Sequence, residues 1–95
     1  TQTMKTFFIE RDIPGANRLT AGELKGISAK SNDIVAGMGV PYKWLTSYVA
    51  GDKLYCIHQA ENPEDVYRHA REGGFPANSV TEIAAVIEPK TATGK

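Results

Sequence analysis

The chain has 95 residues, and its eleven basic side chains are balanced by eleven acidic ones. A chain of this length forms one small domain with a modest core, and an even charge without a basic stripe argues against nucleic-acid binding. The apolar runs are too short to span a membrane and the first residues lack a signal-peptide pattern, so we expect a cytoplasmic protein. The single cysteine, Cys56, excludes an internal disulfide.

The first half of the chain predicts a strand and a helix. Residues 4–10 form a short run rich in aromatic and β-branched side chains, which predicts a strand that ends at the turn signal of residues 11–15. Thr20 and Glu23 have the spacing of a capping box, and apolar residues then recur at helical spacing. These features predict a helix from about Thr20 to Gly37 or Met38.

The segment from Trp44 to Gln59 consists of two alternating runs joined by Gly51 and Asp52, and it predicts a β-hairpin. A Gly-Asp pair fits a two-residue turn, because glycine supplies the positive φ at its first position. Counting back from the turn gives the register. The predicted pairs are Ala50 with Lys53, Tyr48 with Tyr55, Thr46 with Ile57 and Trp44 with Gln59.

The remaining elements complete a known order. Asn62 and Pro63 begin a second helix that ends at the Gly73-Gly74 pair, and residues 80–87 predict a last strand. The βαββαβ order is the ferredoxin-like α+β pattern, a four-stranded antiparallel sheet with both helices on one face and the first and third strands central. We expect one domain over residues 1–89 and a disordered tail at 90–95.

The sheet face opposite the helices has no cover within this pattern. Aromatic side chains there form a large apolar patch, so we predict a homodimer whose sheets face one another. A small molecule would then bind in a cavity at the dimer centre, with Glu10 as its polar anchor. The residues expected to line it are Glu10, Trp44, Thr46, Tyr48 and Tyr55. The alternative is that these aromatics pack only as an interface, with Arg11 and Asp12 as a charged rim.

Two groups of side chains have metal-binding chemistry. Cys56 and His58 are two residues apart on one strand and share a face, and a thiolate with an imidazole suits nickel, copper or zinc. His69 lies in the second helix with Asp65 one turn before it and Glu72 close by. The alternative for the first group is that Cys56 is a small core residue and His58 a hydrogen-bonded one. The alternative for the second group is a solvated ion pair on the surface of the helix.

Three blocks of the sequence resemble one known family. They are residues 9–15 (Ile-Glu-Arg-Asp-Ile-Pro-Gly), residues 47–49 ahead of 52–56, and residues 69–78. The family consists of small bacterial proteins, long catalogued as a domain of unknown function and now described as nickel-binding and ferredoxin-like. The resemblance, which spans about residues 4–89, implies a cytoplasmic homodimer of the dimeric α/β-barrel type that binds nickel or another divalent metal. It also implies that His69 is a ligand.

Three functions therefore stay open at this point. They are a metal-binding module, an enzyme or small-molecule binder that uses the bare sheet face, and a structural or interaction dimer. The sequence has no nucleophile elbow, phosphate-binding loop or zinc-protease motif, so we expect no ordinary hydrolase or kinase. A ligating imidazole must be neutral, which predicts that metal affinity falls as the pH drops through about 6.5.

Overall fold

The computed structural model describes residues 4–94 and has the predicted ferredoxin-like α+β architecture. The sheet order is β2-β3-β1-β4, so the first and third strands are central as predicted, and all pairs are antiparallel. The strands are β1 (Lys5–Asp12), β2 (Tyr42–Ala50), β3 (Lys53–Ala60) and β4 (Ser79–Glu82). The helices are α1 (Ala21–Gly37) and α2 (Pro63–Gly73), with short 3₁₀ helices at Ala16–Arg18 and Pro89–Thr93.

Both helices begin at a capping residue, and α2 also ends at one. The Thr20 hydroxyl accepts a hydrogen bond from the Glu23 backbone N–H and the Glu23 carboxylate accepts one from the Thr20 N–H, which confirms the capping box. In α2, the side chain of Asn62 accepts from the Asp65 N–H. Gly74 ends that helix in the left-handed conformation, with φ of 67°.

The hairpin register is confirmed near the turn and wrong beyond Thr46. Tyr48 pairs with Tyr55 and Thr46 with Ile57, but Trp44 pairs with His58 instead of Gln59. The cause is a β-bulge at Leu45, which adds one residue to β2 and reverses the faces of the residues before it. Trp44 therefore lies on the helix-covered face of the sheet.

The hairpin turn is tied to the loop that precedes α1. The backbone carbonyls of Gly51 and Asp52 accept hydrogen bonds from the N–H groups of Asn17 and Ile13, at 2.9 and 2.8 Å. The Asp52 carboxylate also accepts from the Gly15 N–H at 2.9 Å. These three bonds fix the end of the β2–β3 hairpin against the end of β1.

The last strand is shorter than predicted. β4 stops at Glu82, and the Ile83 N–H makes a final hydrogen bond to the Thr6 carbonyl. Because β1 begins at Lys5, residues 84–87 pair with no strand among residues 4–94, and their apolar side chains are exposed. Residues 90–93 of the tail predicted to be disordered belong to the 3₁₀ helix Pro89–Thr93. Residue 95 lies outside the described residues. Among residues 4–94, no helix is long and apolar enough to cross a membrane.

The core lies between the sheet and the helices but does not fill that space. Phe7 and Ile9 of β1, Cys56 of β3 and Val66 of α2 are buried. The apolar residues of α1 are only partly buried, and Ser31 is its one fully buried residue within the helix. The middle of α1 therefore stands away from the sheet, and a groove remains beneath it.

Candidate functional site

The groove between α1 and the sheet contains a cavity with a volume of about 510 Å³. Its upper wall comes from α1 and its lower wall from β2 and β3, and both are mostly apolar. Its polar groups come together at one end. The α1 wall has Leu24, Ile27, Ser28 and Ser31; the sheet wall has Trp44, Ser47, Val49 and Leu54; and the polar end has Arg11, Cys56, His58, His69 and Phe75.

His58 is held at this end by a buried phenol. The residue is 1% exposed, and its Nδ1 lies 2.5 Å from the hydroxyl oxygen of Tyr42. Burial raises the pKa of Tyr42 well above its usual value, so the phenol keeps its proton. The protonated hydroxyl can donate to Nδ1, and in that tautomer the proton of the neutral imidazole lies on Nε2.

His69 lies next to it on α2 with one ring nitrogen unpaired. The two imidazole centroids are 4.9 Å apart, and the ring of His69 stacks against those of Tyr42 and Phe75. Nε2 of His69 is 3.0 Å from the hydroxyl of Ser31, whereas its buried Nδ1 has no hydrogen-bond partner among the described residues. An unpaired polar atom at this depth costs about 1–3 kcal/mol, which marks Nδ1 as a functional candidate.

Arg11 places a positive charge beside the two histidines. The residue is 2% exposed; its Nε donates to the Cys56 sulfur at 3.4 Å and its Nη1 to the carbonyl of Pro76 at 2.7 Å. Its guanidinium also lies 5.6 Å from the ring centroid of Phe75. Among residues 4–94, no carboxylate forms an ion pair with Arg11.

Both imidazoles are neutral at pH 7 in this setting. Burial, followed by the neighbouring His69 and Arg11, lowers the pKa of His58 to about 3. Burial and then Arg11 lower the pKa of His69 to about 4. The polar end of the groove is therefore a buried site with one fixed positive charge and two neutral imidazoles.

The structure divides the predicted metal-binding residues. It brings Cys56, His58 and His69 to the groove, where the His69 ring is buried, whereas Asp65 and Glu72 do not line the groove. The Glu72 carboxylate instead pairs with Arg68 at 2.7 Å on the exposed side of α2. Within the described part of the chain, no three His, Cys, Asp or Glu residues are close enough together to hold a metal ion.

The residues predicted to line a pocket on the bare sheet face lie on both faces of the sheet. Glu10, Thr46, Tyr48 and Tyr55 lie on that face, whereas Trp44 lines the groove on the opposite side because of the bulge. The Glu10 carboxylate forms an ion pair with Lys53 at 2.5 Å, and Tyr55 stacks on Phe8.

Sequence reasoning missed four residues of the polar end. Arg11 was expected at a charged rim, yet it is buried, because it continues the inward alternation of Phe7 and Ile9 along β1. That alternation was the available signal. The others are Ser31, Tyr42 and Phe75, for which only the three-dimensional packing gives the position.

Comparisons with known proteins agree with this architecture. The crystal structure of SCO4226 from Streptomyces coelicolor A3(2) superposes with a TM-score of 0.70 at 16% sequence identity, over 86% of this chain and 99% of that one. A likeness at this identity shows the fold alone. A search of curated proteins finds no match. The model of the family described as nickel responsive protein SCO4226-like matches residues 7–83, and the chain therefore belongs to that family.

Proposed function

We propose that this protein binds a divalent metal ion, nickel in the first place, through Nδ1 of His69. The observation that carries the proposal is the unpaired, buried Nδ1 on a ring whose other nitrogen is held by Ser31. Metal-ligating histidines usually donate their second N–H to an oxygen that orients the ring, and Ser31 supplies that oxygen. The description of the family as nickel responsive supports the choice of metal.

The neighbouring donors fit nickel in their chemistry. His58 and Cys56 are the next imidazole and sulfur in the groove, and nickel accepts nitrogen and sulfur ligands. His58 can act as a ligand at Nε2 in the tautomer whose proton lies on Nδ1, where the Tyr42 oxygen accepts it. The charge of Arg11 opposes any cation here. We therefore expect micromolar rather than nanomolar affinity, with water completing the coordination.

Calorimetric titration of tag-free, metal-free protein with nickel tests the proposal. We expect saturable binding of one ion per chain, lost in His69→Gln, which removes the imidazole but retains a polar group for Ser31. Magnesium is the matched control ion, because it prefers oxygen ligands and should give no heat. Nickel binding of equal strength in His69→Gln, or no binding in either protein, would contradict the proposal.

A further inference from the structure

We propose that the groove beneath α1 binds a small organic acid, whose carboxylate pairs with Arg11 and whose apolar body lies between Ile27 and Trp44. This inference concerns a different ligand from the metal ion, and it does not depend on nickel binding.

The unmatched charge of Arg11 is the first argument. A buried guanidinium is costly unless an anion pairs with it, and the described partners of this one are all uncharged: a thiol sulfur, a carbonyl and the Phe75 ring. The ion pairs of residues 4–94 all involve other cations. A bound carboxylate would supply the missing negative charge.

The free donors of Arg11 are the second argument. Nε and one N–H of Nη1 are used within the protein, whereas Nη2 makes no hydrogen bond to a described residue. The N–H groups of Nη2 and the second N–H of Nη1 are therefore available as donors to the oxygens of a carboxylate. Arg11 lines the groove.

The adjacent imidazoles add donors of the same kind. With the Tyr42 hydroxyl donating to Nδ1 of His58, the Nε2 of that ring bears a proton. If the Ser31 hydroxyl donates to Nε2 of His69, the unpaired Nδ1 of His69 also becomes an N–H donor. In this tautomer the polar end presents a cation and neutral N–H groups toward an anion, whereas the tautomer in which Nε2–H donates to Ser31 is the one that leaves Nδ1 free to bind a metal ion.

The rest of the groove is suited to the apolar part of the ligand. Its walls are mostly carbon, and its volume of about 510 Å³ lies within the range of small-molecule sites. A charged group at one end and apolar walls along the remainder are complementary to an amphipathic acid. Octanoate is a suitable probe, and octanol is the matched neutral compound with the same chain.

Trp44 gives a direct readout, since it is the single tryptophan of the chain and lines the groove. We expect its fluorescence to change saturably with octanoate, and octanol to bind at least about tenfold more weakly. Arg11→Gln should weaken octanoate at least about tenfold and leave octanol within about twofold. Equal affinities for the two compounds in the wild-type protein would overturn the proposal.

Two further measurements locate the site. Ser28→Phe places a ring in the groove from α1 and should abolish octanoate binding, whereas Ala29→Phe adds the same ring at an exposed neighbouring position and should not. This pair decides the location even if Arg11→Gln fails to fold. In addition, Arg11→Gln should tighten nickel while it weakens octanoate, so failure of either ligand is distinguishable from failure of the other.

Discussion

At the residue scale, the two buried histidines change the pH range in which a metal would bind. An exposed imidazole with a pKa near 6.5 loses its ligating form below that pH, which is the range the sequence predicts. The pKa values of about 3 for His58 and about 4 for His69 keep both rings neutral in the folded protein well below pH 6. Proton competition for a nickel site in the groove therefore begins near pH 4, provided that the fold persists.

The same pKa values predict that stability falls with acid. The unfolded chain binds protons on both histidines below pH 6.5 while the folded protein does not, so the free energy of unfolding decreases from pH 6.5 to about 4. Each histidine contributes a slope of at most about 1.4 kcal/mol per pH unit. Urea unfolding at several pH values should show a shallower dependence in His69→Gln than in the wild type. Parallel curves for the two proteins would contradict this.

At the element scale, the close packing at the C-terminal end of α2 requires the glycine at position 73. A Cβ added at Gly73 would lie 2.8 Å from Cδ1 of Ile34 and closer still to the ring of Phe75. We expect Gly73→Ala to lower the free energy of unfolding by about 1–3 kcal/mol and to displace Phe75 from His69. Urea denaturation measures the first effect.

Gly26 offers the matched control for that substitution. It lies in the middle of α1 with no atom within 4 Å of an added Cβ. Gly26→Ala should therefore raise the free energy of unfolding by about 0.5–1 kcal/mol, the helix-propensity gain of alanine. A stabilised Gly73→Ala protein would show that Phe75 and Ile34 move aside at no cost.

The elements also show where sequence reasoning succeeds and where it stops. Local chemistry determines the capping box of Thr20 and the turn at Gly51, so both were predictable. The bulge at Leu45 was harder to predict, because no glycine at this position indicates it. Strict alternation through Leu45 would turn Lys43 toward the core, and that conflict was the available signal. The stacking of Phe75 on His69 depends on packing between distant segments, which no periodicity contains.

At the scale of the whole molecule, the bare sheet face and the C-terminal segment remain exposed and apolar. Tyr48 is 59% exposed on that face, and Val86 and Ile87 are 73% and 81% exposed after β4. We propose that a second copy of the chain covers this surface. Light scattering at micromolar concentration should give twice the mass of 10.3 kDa, and a small-molecule cavity at the interface would then be open to study.

Two tyrosines provide the matched test of which face is used. Tyr48→Glu places a charge on the sheet face and should produce monomers. Tyr67, which is 43% exposed on α2, should tolerate the same substitution without a change in mass. If Tyr67→Glu gave monomers, or if Tyr48→Glu still gave dimers, the interface would have to be assigned to the helical side of the molecule instead.

The hydrogen bonds at the hairpin turn bear on how the protein can be engineered. A hairpin tip is ordinarily a tolerant position for an inserted peptide or a new chain terminus. Here Gly51 and Asp52 hold the backbone of Ile13, Gly15 and Asn17 through three bonds, and that loop leads from Arg11 to α1. An epitope placed between Gly51 and Asp52 would thus loosen the entrance to the groove.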